Sequence, residues 1–312
     1  MNRKLLFAEQ IIENRFSKDD DNYGLLVLSC YGLLTKFEDY YDIIKEIFNT
    51  CEFYIENKSI IDLLKEKDID SKSLFPEIAE IYYTHGLTVN GKHASIIDGK
   101  DFNPKNHQIF CSTMYGENDT LNTLVHELAH LVKSSINSSF IKLDESIILR
   151  NGINLTEYKS INQEKYVIDT FSSLDEVINT LQTTDMLQEI KKLNKNHMNP
   201  VVQKTFNQLD LETLDYISGY EIGATLLFLL WNNEHFKENI EENIVIGNID
   251  NIVSDFDNIV GETNTFYNFS ESFDIIDTSD DNEIISNRAN YIITISQLYD
   301  IKSKKCKGYK KQ

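Results

Sequence analysis

Apolar residues in the stretch 119–135 recur at Leu121, Leu124, Val125, Leu128, Leu131 and Val132. Steps of three and four residues form one stripe along an α-helix. Asp119 or Thr120 is placed to cap its start, and Lys133 lies near its end. A second stripe runs through "YVIDTFSSLDEVINTLQT" at Val167, Phe171, Leu174, Val177, Ile178 and Leu181. Upstream, 23–48 reads as helix in two pieces, and "SIIDLLKEK" and "LFPEIAEIYYTHG" read as two more. Three runs rich in β-branched or aromatic residues and bounded by turn residues predict strands: "CEFYIE" (51–56), "KHASIIDG" (92–99) and "HQIFCSTM" (107–114). From Lys159 onward the pattern is helical almost throughout, over 160–188, 201–218, 219–232, 248–259 and 283–301. The expectation is an α+β chain: a sheet-bearing subdomain 1–135 ending in the 119–135 helix, a helical subdomain 136–301, and a basic tail 302–312.

Composition narrows the partners. The formal net charge of −20 over 312 residues opposes nucleic acid and anionic membrane, since phosphate binding needs clustered Lys and Arg. Only "KSKKCKGYKK" is basic, and it reads as a solvated tail. The longest apolar run, "GATLLFLLW", is far below the roughly 20 residues that span a bilayer. The first residues carry too short an apolar run for a signal peptide, which needs roughly 7–15. Cys30, Cys51, Cys111 and Cys306 are scattered, with no CxxC pair. That usage suits a reduced, cytoplasmic protein, or one exported by a non-classical route. Cys30, Cys51 and Cys111 sit in apolar company and read as core. Acidic stretches at 19–24 and 274–283 do not fit a calcium-loop template.

The chemistry concentrates in "TLVHELAHLVKS", 123–134. His126 and His130 lie one helical turn apart, opposite the centre of the leucine stripe. Two imidazoles so spaced can take two corners of a zinc tetrahedron. Glu127, rotated by one residue, cannot join them as a ligand. It can reach a metal-bound water as general base.

A catalytic zinc requires a third protein ligand. The extended pattern HExxHxxGxxH fails, with Lys133 and Ile136 at the positions it would need. The candidates are carboxylates further on: Glu145, Glu157, Glu164 and Glu176. Glu176 is favoured. It projects from the face opposite its helix's apolar stripe, with Ser172 and Thr183, whose small side chains allow close approach of another helix. Asp175 or Asn179 could orient a ligating histidine.

On these residues the chain resembles the zincin metallopeptidases, gluzincin branch. "HELAH" and the Glu176 segment "LDEVINTLQT" are similar to motifs in small zincin-like proteins of low-GC Gram-positive bacteria. The stretch 219–256 resembles the helical segment that follows in them. The long gap from His130 to Glu176 is like that of the lethal-factor and Pro-Pro-endopeptidase group. The resemblance covers about 105–260. It implies a small twisted sheet, a backing helix and the active-site helix, then a helical subdomain. It also implies one Zn²⁺ per chain on His126, His130 and Glu176, and a peptide or protein substrate. There are departures. Asn179 and Thr180 replace an expected Thr-Glu pair, and Asp169 stands where the lethal-factor group has a tyrosine. Tyr166, Tyr220 and His235 are then the candidates for stabilising an oxyanion, with Tyr166 preferred. The alternative is an inactive zincin-fold binding or regulatory protein. Substrate identity and oligomeric state do not follow from the sequence.

Overall fold

The computed structural model describes residues 2–67, 81–85, 91–97, 107–142, 146–161, 164–215 and 220–309. The chain divides into two compact units, one of residues 1–135 with 182–218, the other of 136–181 with 219–312.

The first unit opens with α1 (Arg3–Glu13), α2 (Tyr23–Lys36) and α3 (Tyr41–Thr50). Helix α2, "YGLLVLSCYGLLTK", has almost no polar face and is buried from Tyr23 to Leu34. It is the central rod of this unit's core, as an all-round apolar helix must be. Strand β1 (Glu52–Glu56), α4 (Ile60–Glu66), β2 (Ile81–His85), β3 (Gly91–Ile97) and β4 (His107–Ser112) follow. They give a four-stranded mixed sheet in the order β1-β4-β3-β2, with β1 parallel to β4 and the other pairs antiparallel. Helix α5 (Glu117–Ile136) continues from β4. Helix α7 (Pro200–Gln208) completes the unit by packing on α2. There, Gly24 is required, since a Cβ would lie within 1.9 Å of the Thr205 hydroxyl oxygen.

The second unit contains an antiparallel meander, β5 (Ser138–Lys142), β6 (Ser146–Asn151), β7 (Asn154–Ile161) and β8 (Glu164–Thr170), in sequential order. Helices α8 (Glu221–Trp231), α9 (Glu234–Ile246), α10 (Ile249–Val260), α11 (Thr265–Thr278) and α12 (Asn282–Tyr309) follow. Their core is aromatic: Phe256 contacts the rings of Phe236, Phe266, Phe269 and Tyr299 at 5.0–6.1 Å. Helix α6 (Ser172–Lys191) is continuous, and its two halves belong to different units.

The mixed α and β content agrees with the α+β expectation, and β1, β3 and β4 form within or beside the runs expected at 51–56, 92–99 and 107–114, of which 98–99 lie outside the described residues. Four elements differ. The helix expected over 201–218 ends at Gln208 as α7, with 211–215 in turns and 216–218 outside the described residues. The described residues of 138–170, a stretch expected to be loop and then helix, form the β5–β8 meander. Residues 81–85, expected within a helix, are strand β2, and 74–80 of that expected helix lie outside the described residues. The expected tail continues α12 to Tyr309, where Lys302 Nζ donates to the Val260 carbonyl and Lys304 pairs with Asp300 at 2.6 Å. Cys30, Cys51 and Cys111 are buried free thiols. Among the described residues, no helix is long and apolar enough to cross a membrane.

Candidate metal centre

Two helices carry the expected ligands. The first, α5, leaves β4 through a short turn with Gly116 at φ 99°, a conformation that favours glycine. Its start is pinned twice. Thr120 Oγ1 donates to the Gly116 carbonyl at 2.7 Å. The Asn118 amide donates to the Asp210 carbonyl at 2.8 Å, and the Asp210 backbone N–H donates back to Asn118 Oδ1 at 3.0 Å. The leucine stripe packs as its spacing predicts. The opposite face is covered as well, so α5 is buried all round from Thr123 to Ser134.

The second helix, α6, starts one residue after β8. Phe171 makes the turn alone, at φ 67°. A left-handed aromatic residue costs about 1–3 kcal/mol and persists only where its surroundings hold it. Here the ring packs against Phe266 and Tyr267, with centroids 5.9 and 5.4 Å away. The Ser173 backbone N–H donates to Asp274 Oδ1 at 3.1 Å, which satisfies part of the helix's first turn. Burial, the largest influence, raises the Asp274 carboxyl above its usual range. Glu176 follows one turn into this fixed helix start.

His126 Nε2 and His130 Nε2 are 3.2 Å apart, with ring planes crossing at 73°. A carboxylate oxygen of Glu176 joins them, all three ligand atoms lying within 4.8 Å of one another. His126 is 4 % exposed, His130 0 %, Glu176 3 % and Glu127 0 %. Among the described residues, this is the group able to hold a metal ion.

The donor set fits a divalent ion on two grounds. With Zn–N bonds of roughly 2.0–2.1 Å, nitrogens so spaced would subtend about 100° at a shared metal, close to tetrahedral. The set also offers two imidazole nitrogens and a carboxylate oxygen, all buried, which are ligand types that zinc takes. Burial chiefly, and the Glu127 charge after it, push the Cys111 thiol of β4 upward.

The remaining candidates are placed as follows. Glu157, in β7, is 3.5 Å from Lys159. Glu145 lies outside the described residues, and Glu164 begins β8. Tyr166 is in β8, paired in register with Lys159 of β7. His235 is 3.2 Å from Asp255 and stacks on Tyr299. Tyr220 caps α8 at φ 47° and lines a cleft beside α6. Asp175 and Asn179 are buried on α6, and Gly152 sits so close to Asp175 that a Cβ there would lie 3.5 Å from Oδ1. Arg150 donates to the Gly247 carbonyl and so serves the fold. Sequence reasoning missed Lys133 as a buried charge. It sits on α5 one turn beyond His130, fully buried.

No family model, curated protein or solved structure matches this chain.

Proposed function

We propose that the chain is a zinc-dependent metallopeptidase, an endopeptidase acting on peptide or protein substrates, with His126, His130 and Glu176 as the metal ligands. One observation carries the reading: the two Nε2 atoms 3.2 Å apart with the Glu176 carboxylate beside them. Zinc bound there would supply a Lewis acid that polarises a carbonyl and brings a water's pKa towards 7.

The chain's own groups do the rest. Glu127 is the general base: its carboxylate takes a proton from the attacking water and delivers it to the leaving amine nitrogen. Its complete burial keeps bulk water away from that exchange. Tyr166 is retained as the group that donates a hydrogen bond to the developing oxyanion. Asp175 or Asn179 orients a ligating imidazole.

The buried Lys133 favours a second reading. A cation on α5 could balance the buried carboxylates in an inactive zincin-fold binding or regulatory protein. Digestion of a defined peptide mixture separates the two. The peptidase reading expects cleavage that a chelator abolishes and added zinc restores. A zinc-loaded chain that cuts no peptide would leave the binding-protein reading.

A further inference from the structure

Within the second unit, the starts of α6 and α8 and the end of α11 enclose a cleft of about 450 Å³. That lies within the roughly 300–1,000 Å³ of ligand pockets. Val177, Phe273 and Ile276 form an apolar floor, each nearly fully buried. Ile222 stands at the mouth and is 56 % exposed, an apolar side chain left in water. Two carboxylates, Glu221 and Asp277, border the cleft, and among the described residues its lining contains no Lys or Arg. The cleft depends on Gly223: a Cβ there would lie 2.5 Å from Val177 Cγ2, so the missing side chain lets α8 approach α6.

The position of the cleft gives it a use. Ser173 and Val177, one turn apart on α6, line it, and Glu176 lies between them in sequence on the adjoining face. An occupant therefore lies beside the turn that carries the third metal ligand. An apolar floor with an anionic border matches a side chain of the same character: hydrophobic, with a positive charge one residue away.

We infer that this cleft is a substrate subsite for a large apolar residue adjacent to lysine or arginine in a peptide. The inference rests on the peptidase reading. The floor takes the apolar side chain, and Glu221 and Asp277 attract the neighbouring cation. The chain's net charge of −20 draws the same class of peptide from solution.

Binding of three capped tetrapeptides, with central lysine–leucine, glutamate–leucine or lysine–serine pairs, tests this by calorimetry. The Glu127→Gln protein is used, since it cannot consume them. The lysine–leucine peptide is expected to bind at least about tenfold more tightly than either other, the scale of charge contacts near a surface for the glutamate peptide and of burying a leucine's apolar carbons for the serine peptide. Glu221→Gln with Asp277→Asn should remove the preference for lysine over glutamate and keep that for leucine over serine. Ile222→Ser should weaken the preference for leucine over serine and leave that for lysine over glutamate unchanged. All three positions are exposed, so the fold tolerates them. Equal binding of the three peptides, or preferences that survive these substitutions, would overturn the assignment. Selective binding without any hydrolysis by the wild type would support the pocket and sink the peptidase reading. Hydrolysis indifferent to these pairs, with no binding preference, would sink the pocket alone.

Discussion

His126 Nε2 and His130 Nε2 face each other across 3.2 Å on successive turns of one buried helix. Without a metal, the pair is at best a single N–H···N hydrogen bond in which one ring donates and the other accepts. With a metal, both nitrogens would become ligands. Metal binding should therefore stabilise the fold. At a free zinc concentration a hundred times the dissociation constant, the gain is about 2.7 kcal/mol. For units of this size that is a rise in Tm of roughly 5–10 °C. Thermal unfolding with zinc and with chelator measures it. An equal Tm in the two conditions would remove the metal from the account.

Glu127→Gln keeps the shape of the side chain and removes its charge from a fully buried position. The variant should fold, retain the metal and be no less stable than wild type. Its peptide hydrolysis should fall by about 10²–10⁴ in kcat, the usual contribution of a positioned acid–base group. Unchanged kcat would assign the proton transfer to another residue. Tyr166→Phe should lower kcat by about tenfold or more while leaving metal content intact. Unchanged kcat there would remove Tyr166 from the mechanism.

His107 lies buried in β4, and burial pushes its pKa down to about 3, against an ordinary value near 6.5. Above the ordinary value neither the folded nor the unfolded state holds the proton, and stability is full. As pH falls from about 6.5 towards 3, the unfolded chain takes up a proton that the folded chain refuses, so stability drops, by up to about 5 kcal/mol. His107→Gln should flatten this acid limb, even though its stability at neutral pH is lower. Urea unfolding between pH 4 and 7 reads the slope. Parallel slopes would show that other groups set the acid limit.

Gly223→Ala gains helix propensity of about 1 kcal/mol but forces a Cβ to within 2.5 Å of Val177 Cγ2 and 3.4 Å of Phe273 Cδ1. Overpacking of that kind costs about 1–3 kcal/mol, so the variant should be destabilised. Val177→Ala vacates the contested space. The double variant should recover stability relative to the sum of the single changes, a coupling read from a double-mutant cycle. Strict additivity would mean that α8 shifts rather than clashes.

The site was more legible in the sequence than the architecture around it. His126, Glu127 and His130 announce themselves by spacing, and Glu176 by its place opposite an apolar stripe. The α5 stripe holds throughout, whereas the second is helical only from Leu174 on, since Val167 lies in β8 and Phe171 in the turn; even so, each describes only half of its helix's surroundings. Periodicity reports which face is apolar, not whether the polar face is also covered, and here the polar faces of α5 and of the first half of α6 are buried. The β5–β8 meander was misread because isolated Ile, Leu and Tyr residues among charged ones suit a frayed helix as well as an edge-rich sheet. One signal was present. Asn151-Gly152 lies between two runs that carry β-branched and aromatic residues, and Gly152 at φ 60° opens the two-residue loop joining β6 to β7. At 81–85 the run "IYYTH" carries β-branched and aromatic residues that outweigh the helical pattern of its neighbours. The single-residue turn at Phe171 had no sequence signal, because its conformation is imposed by the rings it packs against.

The central claim is the three-ligand site, and metal content tests it most directly. Wild type, His130→Ala and Glu176→Ala would be purified together, equilibrated with zinc, freed of excess and analysed for metal per chain. The account predicts about one zinc in the wild type and loss in both variants. Zinc retained in full by Glu176→Ala, or absent from a folded wild type, would contradict it.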